Sequence, residues 1–413
     1  MRLTTAGRGV GFDVPVVGEV VTSPTVQPVS RRGTKVYVGS LERCVSDLAG
    51  YKAIISTDGA NKADELFQTI NVPVIHSVRH VEHFRERDVV VINPTDGFIR
   101  TVYRPDSFHN TLFMTERCNS NCLMCSQPPR DADDTEHFYT INRQVINFIS
   151  PSTSYLTITG GEPTILGARL LGLLSELKCH VPGTHIHLLT NGRIFAWRQF
   201  ARMLAAVSHP RLSLGIPLYS DFAQDHDYIV QARGAFDQTV LGLQQLARWR
   251  ISTEIRIVLH KLSIPRLANL AEYIVRNLPF SSHVALMGLE PTGYTPRNRE
   301  QLWIDPTEYQ DQLERAVETL VFGGLSVSVY NTPLCLLRPN LWQYAKRSIS
   351  DWKNIFLPEC QKCGVLEQCG GLFQSGERMH SGHIRALLNF PQNSGAPDAH
   401  SLQLSGLPAS TPV

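Results

Sequence analysis

From about residue 108 onward, the hydrophobic pattern alternates between short apolar runs typical of strands and longer amphipathic runs typical of helices. The strand-like runs are NTLFMT, SYLTIT, THIHLLT, RLSLGIPL, TEIRIVLH and SHVALMG. The helix-like runs are INRQVINFI, ARLLGLLSEL, WRQFARMLAAV, FDQTVLGLQQLARW, PRLANLAEYIVRNL and PTEYQDQLERAVETL. This alternation predicts parallel strands covered by helices. We therefore expect an α/β fold, a partial (β/α)6 barrel whose chemistry lies at the carboxyl ends of the strands.

The first hundred residues have a different, mixed pattern. TKVYVGS, KAIIST and VPVIHS predict short strands, and KADELFQTI predicts a helix between the last two. Residues 88–104 predict a β-hairpin, because two β-rich runs flank a turn sequence from Pro94 to Gly97. The pattern thus divides the chain into four parts: an N-terminal β-rich α+β region (1–105), the barrel (106–330), a cysteine-rich region (331–384) and a disordered tail (385–413).

Composition is that of an ordinary globular protein. Of 413 residues, 42% are hydrophobic and 18% are charged. The net charge of +2 argues against the massed basic face that nucleic-acid binding requires. We find neither an apolar run of the roughly 20 residues that cross a bilayer nor a secretory signal. We therefore expect a cytoplasmic protein without a membrane partner, in which clustered cysteines indicate metal or redox chemistry rather than disulfides.

Three cysteines lie within eight residues, in the segment CNSNCLMC that follows the first strand of the predicted barrel. Cys118, Cys122 and Cys125 have the spacing CxxxCxxC. Thiolate is the ligand of iron–sulfur clusters, and three thiolates leave open the position that a fourth would close. On spacing alone, a zinc knuckle or a set of buried thiols stays open as an alternative.

This spacing, its place after the first strand and the later segment TITGGEP resemble the radical S-adenosylmethionine (SAM) superfamily. The resemblance implies that the three cysteines hold a 4Fe–4S cluster whose fourth iron binds the amino and carboxylate groups of SAM. It also implies that Gly160, Gly161 and Glu162 bind the SAM ammonium group. The residue before the third cysteine is Met124, where the superfamily commonly has an aromatic residue.

Further strand ends carry polar or glycine residues. We predict cofactor contacts there from Thr190, Asn191, Tyr219, Arg256, Gly288 and Glu290. The first two are explained equally well by a helix N-terminal turn, whereas the resemblance implies ribose contacts for the tyrosine and adenine packing for the last two. A charge pointing into a barrel needs a partner, so Arg256 meets the SAM carboxylate or an acid near the cluster, or else it lies on the surface. His185 with His187, and His226 with Asp227, are weaker candidates for metal binding and acid–base chemistry.

A second cysteine group comprises Cys335, Cys360, Cys363 and Cys369. A filled set of four thiolates predicts an electron-transfer or structural cluster. The pattern resembles the SPASM or twitch extensions of radical SAM enzymes, which implies an auxiliary 4Fe–4S cluster. A SPASM extension would carry further cysteines, and none follow Cys369. Four-thiolate zinc fits the same spacing.

Longer stretches narrow the resemblance. TERCNSNCLMCSQPP, GIPLYSD, MGLEPTGYTPRN and ISDWKNIFLPECQKCG look like the C-type member of the His-Xaa-Ser system radical SAM maturases. This implies an oxidoreductase that uses a 5′-deoxyadenosyl radical to modify a ribosomally made precursor peptide with His-Xaa-Ser repeats, by oxidative crosslinking or another C–H functionalisation. It also implies three partners: a second radical SAM protein, a small companion protein and an external electron donor.

The sequence leaves two alternatives to this function open. One is a catalytically silent iron–sulfur scaffold for a second radical SAM enzyme, and the other is a zinc-binding regulatory module. If a peptide is the substrate, strand addition to a sheet edge in the N-terminal region is a plausible mode of capture.

Overall fold

The N-terminal region is one mixed sheet with two helices. The computed structural model describes residues 3–23, 33–43, 45–347 and 354–388. The elements of the N-terminal region are β1 (Thr4–Ala6), β2 (Arg8–Val10), β3 (Val16–Val21), β4 (Lys35–Val38), α1 (Val45–Leu48), β5 (Ala53–Ile55), α2 (Ala60–Ile70), β6 (Val74–His76), β7 (Val89–Ile92) and β8 (Phe98–Tyr103). The three predicted strands and the predicted helix are confirmed as β4, β5, β6 and α2. The predicted hairpin is confirmed as the antiparallel pair of β7 and β8.

This sheet closes on itself. Its strand order is β1-β8-β7-β3-β4-β5-β6-β2, yet β1 and β2 are separated in sequence by Gly7 alone. β1 pairs with β8 and β2 pairs with β6, so one segment joins the two ends of the sheet. A Cβ atom at Gly7 would lie 2.6 Å from the His76 carbonyl oxygen, which explains the glycine at the corner. Because β1 and β2 are three residues each and already paired, this region is poorly suited to strand addition.

Alternating apolar side chains of the N-terminal strands fill the inside of the closed sheet. In β3, Val16 and Val20 point into an interior cluster of valines and isoleucines from six strands, whereas Val17 and Val21 point outward. Val17 belongs to the same buried cluster as Ile141 and Val145 of the following region. The outer face of the N-terminal sheet therefore packs directly against the second sheet's covering layer.

The second sheet is fully parallel. Its strands are β9 (Asn110–Phe113), β10 (Tyr155–Thr159), β11 (His185–Leu189), β12 (Leu212–Pro217), β13 (Ser252–Leu259), β14 (His283–Gly288) and β15 (Val327–Tyr330). Its helices are α3 (Thr135–Ile146), α4 (Ala168–His180), α5 (Arg198–Val207), α6 (Ala223–Val230), α7 (Ala235–Arg248), α8 (Leu267–Asn277), α9 (Arg299–Leu302) and α10 (Gln310–Phe322). The predicted α/β fold and all six predicted barrel strands are confirmed. A seventh strand, β15, was missed by the sequence-based prediction.

Strands of the second sheet pair in sequence order, from β9 to β15. Each has an apolar face and a polar face: in β13, Ile255 and Ile257 are fully buried in the main hydrophobic cluster, and Glu254 and Arg256 point the other way. This alternation has the period of a strand with one covered face. Helices therefore cover the apolar side, and the opposite, inner side of the curved sheet carries polar groups.

The C-terminal part of the described chain is short of regular structure. A two-residue pairing joins β16 (Asn354–Ile355) to β17 (Leu372–Phe373). Of the predicted disordered tail, residues 385–388 are described, whereas 389–413 lie outside the described residues. Arg385 and Leu387 contact the second cysteine group. None of the helices described is both long enough and apolar enough to span a membrane.

A buried ion pair brackets the hairpin and generates a stability prediction. Arg104, after β8, donates from Nε and Nη2 to the Asp88 carboxylate at 2.8 and 2.6 Å, and the Asp88 side chain is fully buried. Asp88→Ala leaves the buried Arg104 guanidinium without its carboxylate partner. This should lower the free energy of unfolding by about 3–5 kcal/mol. Urea denaturation should show that loss of stability, and the exposed Asp64→Ala control should change it by less than about 0.5 kcal/mol. Equal effects of the two substitutions would contradict a stabilising role for the Asp88–Arg104 ion pair.

Candidate functional site

The CxxxCxxC loop begins directly after β9. The turn after β10 is hydrogen-bonded to the backbone at the start of this loop. Gly161 donates its N–H to the Thr115 carbonyl at 2.7 Å, and Glu162 donates its N–H to the Arg117 carbonyl at 2.8 Å. A Cβ atom at Gly161 would lie 2.1 Å from the Arg117 oxygen. Gly160, at φ +153°, likewise has no space for a side chain, since a Cβ atom there would lie 2.6 Å from the Thr115 oxygen. The two glycines thus allow two backbones to touch where the cysteine loop starts.

Glu162 joins the ends of two strands. Its carboxylate is fully buried and accepts hydrogen bonds from Thr164 N–H (3.0 Å), Thr190 Oγ1 (2.7 Å) and Asn191 N–H (2.7 Å). These donors satisfy a buried charge that would otherwise be costly. The structure therefore brings three predicted site residues together, and their contact with a cofactor stays a prediction.

The turn after β11 also supports the cysteine loop. Asn191 Nδ2 donates to Asn119 Oδ1 at 2.5 Å, and Arg193 Nη1 donates to the Asn119 carbonyl at 2.6 Å. Arg193 was missed by sequence reasoning, although it completes the TNGR segment that contains the predicted residues. Its positive charge also lowers the pKa of Cys122, against the stronger effect of burial.

Two more segments hold the loop from the other side. In α6, the carbonyls of Val230 and Ile229 accept the N–H groups of Asn121 and Leu123 at 3.0 and 2.9 Å. After β14, Tyr294 donates its N–H to the Cys125 carbonyl at 2.9 Å. The loop after the first strand therefore touches the loop after the sixth, so the sheet is curved strongly at its carboxyl end, as a partial barrel requires.

The three thiols share one neighbourhood. Burial raises the pKa of Cys118 to about 11 and that of Cys122 to about 12, and it also raises the pKa of Cys125. The negative charges on Cys125 and Cys118 raise the pKa of Cys122 further. Three neighbouring thiols that resist ionisation need a cationic group before all of them can be thiolates. The donor set therefore fits an iron–sulfur cluster with three protein ligands.

Met124, within the cysteine loop, packs in the same apolar cluster as Tyr219. Both are buried and belong to one apolar cluster with Leu302, against which Cys122 packs. Burial raises the pKa of Tyr219, which also feels the negative charge of Cys122 and the positive charge of Arg256. Tyr219 thus lies between the cysteine loop and the polar inner face of the sheet, in line with its predicted position at the mouth.

Other candidates have structural partners. His226 is buried and accepts the Tyr219 N–H at 3.2 Å, and burial lowers its pKa to about 4. Asp227 accepts the N–H groups of Gly234 and Phe236 at the start of α7. His185 and His187 both contact the Ser213 hydroxyl at 2.8 Å. These contacts favour structural roles for these residues rather than acid–base or metal chemistry.

The last two predicted mouth residues follow β14. Gly288 ends that strand, and its Cβ atom would lie 2.5 Å from the Asn331 carbonyl oxygen. Glu290 lies two residues further on, and its carbonyl accepts the Thr292 N–H at 2.9 Å. The close approach to Asn331 explains the glycine without a ligand.

The second cysteine group lines one small pocket. Its cysteines are Cys335, Cys360, Cys363 and Cys369, and most of its other lining residues are apolar. Backbone N–H groups point at the sulfurs: Gly371 donates to Cys369 at 3.4 Å and Leu387 donates to Cys363 at 3.5 Å. Such donors are typical of iron–sulfur sites, where they stabilise charge on the sulfurs. Within the described ranges, no group of three or more His, Cys, Asp or Glu side chains is arranged to hold a single metal ion.

The contact between the sixth-strand loop and the cysteine loop generates a prediction. Gly293 has φ +60°, and its Cβ atom would lie 2.1 Å from the Cys125 carbonyl oxygen. Gly293→Ala should displace the cysteine loop and cause a severalfold loss of iron after anaerobic reconstitution, measured as iron per chain. Gly172→Ala in α4 is the matched control, because nothing lies within 4 Å of the added methyl. Equal iron content in the two variants would contradict the proposed contact.

Comparisons with known proteins agree with this geometry at the level of the domain. Residues 112–274 match the model of the radical SAM superfamily. No curated protein sequence matches the chain. The match includes the cysteine loop, the turn after β10 and strands β10 to β13.

Several solved structures are similar in part. Streptococcus suis SuiB bound to the precursor peptide SuiA has a TM-score of 0.43 and 15% identity, over 55% of this chain and 49% of that one. SuiB bound to S-adenosylmethionine has a TM-score of 0.49 and 13% identity, over 68% and 77%. A radical SAM methyltransferase from Sphaerobacter thermophilus has a TM-score of 0.43 and 16% identity, over 59% and 72%. The chain spans about half the length of the peptide-bound SuiB. The likeness to the radical SAM superfamily thus covers residues 112–274 of this chain.

Proposed function

We propose that this protein is a radical SAM enzyme that modifies a ribosomally made peptide of the His-Xaa-Ser type. The observation that carries the proposal is the cysteine loop, in which three neighbouring thiols are fixed through the backbone by loops from other strand ends. A loop held in this way presents three ligands in a fixed arrangement, as a preorganised site requires.

The radical SAM domain implies SAM and a 4Fe–4S cluster, and Cys118, Cys122 and Cys125 are the residues that would hold the cluster. When bound, these groups supply a 5′-deoxyadenosyl radical that can take hydrogen from an unactivated carbon. The protein's own contribution is to position the cofactor and exclude water. Met124 and Tyr219 belong to the apolar cluster against which Cys122 packs, and apolar packing of this kind limits solvent access and side reactions.

The second cysteine group supports an oxidative reaction. An auxiliary 4Fe–4S cluster would be held by all four of its cysteines, in an apolar cavity with N–H donors to sulfur. Four protein ligands leave such a cluster without an open position, and hydrogen bonds to sulfur raise its reduction potential. Both properties suit an electron acceptor. Crosslinking or another oxidation of the peptide releases electrons, so this region fits the proposed chemistry.

The peptide class and the partners come from the resemblance of four sequence segments to the C-type His-Xaa-Ser maturases. On that basis we propose a precursor peptide with His-Xaa-Ser repeats as substrate, and a second radical SAM protein, a small companion protein and an electron donor as partners in the cytoplasm. We further propose that region 106–330 acts as the catalytic barrel and region 331–384 as a redox module.

The enzymatic proposal predicts SAM cleavage that depends on the cysteine loop. Anaerobically reconstituted protein with SAM and a strong reductant should release 5′-deoxyadenosine, detected by chromatography. Cys122→Ala should reduce that release at least about a hundredfold, because the cluster loses one of three ligands. Cys179→Ala is the matched control, since Cys179 is exposed on α4. No release by the unmodified protein would contradict the proposal and favour a silent scaffold.

The second cysteine group should be needed for peptide oxidation but not for SAM cleavage. Cys363→Ala should therefore keep most 5′-deoxyadenosine formation while the co-expressed His-Xaa-Ser peptide shows no loss of hydrogen by mass spectrometry. The physical reason is that the peptide's electron has no acceptor, whereas the first cysteine group is untouched. Unchanged peptide oxidation in this variant would count against an electron-transfer role.

A further inference from the structure

A hydrogen-bonded polar layer crosses the inner face of the second sheet. At its centre, the Glu254 carboxylate accepts from Arg256 Nη1 at 2.9 Å and from His283 Nδ1 at 2.8 Å. His187 Nε2 approaches the same carboxylate to 3.7 Å. Each histidine is fixed in turn: His187 Nδ1 lies 2.8 Å from the Ser213 hydroxyl and His283 Nε2 lies 3.0 Å from the Ser328 hydroxyl. The layer joins strands β11 to β15.

Glu254 is built to stay ionised. Burial alone would raise its pKa, but the contacts with His187 and His283 and the charge of Arg256 hold it well below the usual range. A carboxylate in this state is a poor proton acceptor near neutral pH. Its chemical role is therefore that of a fixed negative charge, and the group that it fixes most closely is the Arg256 guanidinium.

The space for Arg256 is created by a missing side chain. A Cβ atom at Gly215, on the neighbouring strand β12, would lie 3.0 Å from Arg256 Cδ and 2.8 Å from His187 Nε2. The arginine stem therefore lies over Gly215, and its rotamer is determined by sterics as well as by charge. A side chain held in this way loses little conformational entropy when it binds a ligand.

Arg256 lies nearer the mouth of the barrel than Glu254 does. Arg256 lies one inner-face position closer to the carboxyl end of β13 than Glu254, and its charge acts on Tyr219 beside the cysteine loop. Its Nη2 contacts Met287 Sδ at 3.1 Å, which is a weak acceptor. Among the described residues, Nε and the remaining Nη hydrogens of Arg256 have no protein acceptor. A planar fork with unused donors suits a carboxylate.

We propose that Glu254 is a positioning residue: supported by His187, His283 and the Cβ-free strand at Gly215, it fixes Arg256 so that the guanidinium binds the carboxylate of SAM. The inference rests on the proposed function and adds to it the groups that set carboxylate recognition. Glu254 and the groups that support it act indirectly, through Arg256, since none of them needs to touch the ligand.

The test compares two ligands in the same protein. SAM and its decarboxylated analogue are titrated calorimetrically into anaerobically reconstituted enzyme. The Kd of the analogue divided by the Kd of SAM measures carboxylate recognition. Glu254→Gln should lower that ratio by about tenfold, because a charge-assisted contact is lost. Gly215→Ala should lower it in the same direction without changing any charge. Arg256→Lys, which keeps the charge and loses the planar fork, should also lower it.

The ratio separates positioning from general damage. A substitution that only loosens the fold weakens both ligands equally and leaves the ratio unchanged, and that result for Glu254→Gln overturns the inference. Glu272→Gln, on the exposed side of α8, is the matched control and should leave both affinities unchanged. If the unmodified protein binds no SAM, the proposed function and this inference are both contradicted. If it binds SAM normally and the ratio is unchanged in the variants, only this inference is contradicted.

Discussion

The buried carboxylate of Glu162 is the interaction on which the arrangement of the mouth depends. It accepts from the turn after its own strand and from the turn after β11, so that two strand ends form one unit. That unit then holds the cysteine loop, through the backbone of Gly161 on one side and through Asn191 and Arg193 on the other. Leaving such a carboxylate without donors would cost several kcal/mol in a dry interior, of order 1–3 for each lost partner. Ligand geometry at the cysteines is therefore a consequence of packing between neighbouring strands.

The two cysteine groups stand at opposite edges of the parallel sheet. One follows β9, the first strand, and the other begins five residues after β15, the last. The sheet is curved enough between these edges for the loop after β14 to contact Cys125. Between the edges lies the polar layer centred on Glu254, where an ordinary closed barrel would have packed apolar side chains. The sheet thus positions a three-ligand site, a four-ligand site and a polar inner face with one backbone scaffold.

Much of this was accessible from sequence because it is local. Strand–helix alternation predicted the six strands β9 to β14, and the turn at Pro94 to Gly97 predicted the hairpin. The closure of the N-terminal sheet was not accessible, because it depends on one segment pairing with strands about 70 and 90 residues away. β15 was missed although residues 325–330, LSVSVY, alternate between apolar and polar positions as a half-buried strand does. Arg193 and Glu254 were missed because their partners are set by tertiary contacts, which motif spacing does not encode.

The central claim is that Cys118, Cys122 and Cys125 hold an iron–sulfur cluster with one open iron. The most direct measurement is the electron paramagnetic resonance spectrum of the reduced, anaerobically reconstituted protein with and without SAM, in a variant whose second cysteine group is replaced by alanine. The account predicts the spectrum of a reduced 4Fe–4S cluster, with g values that shift when SAM binds the open iron. A spectrum that SAM leaves unchanged, or a loop that takes up zinc and no iron, would contradict it.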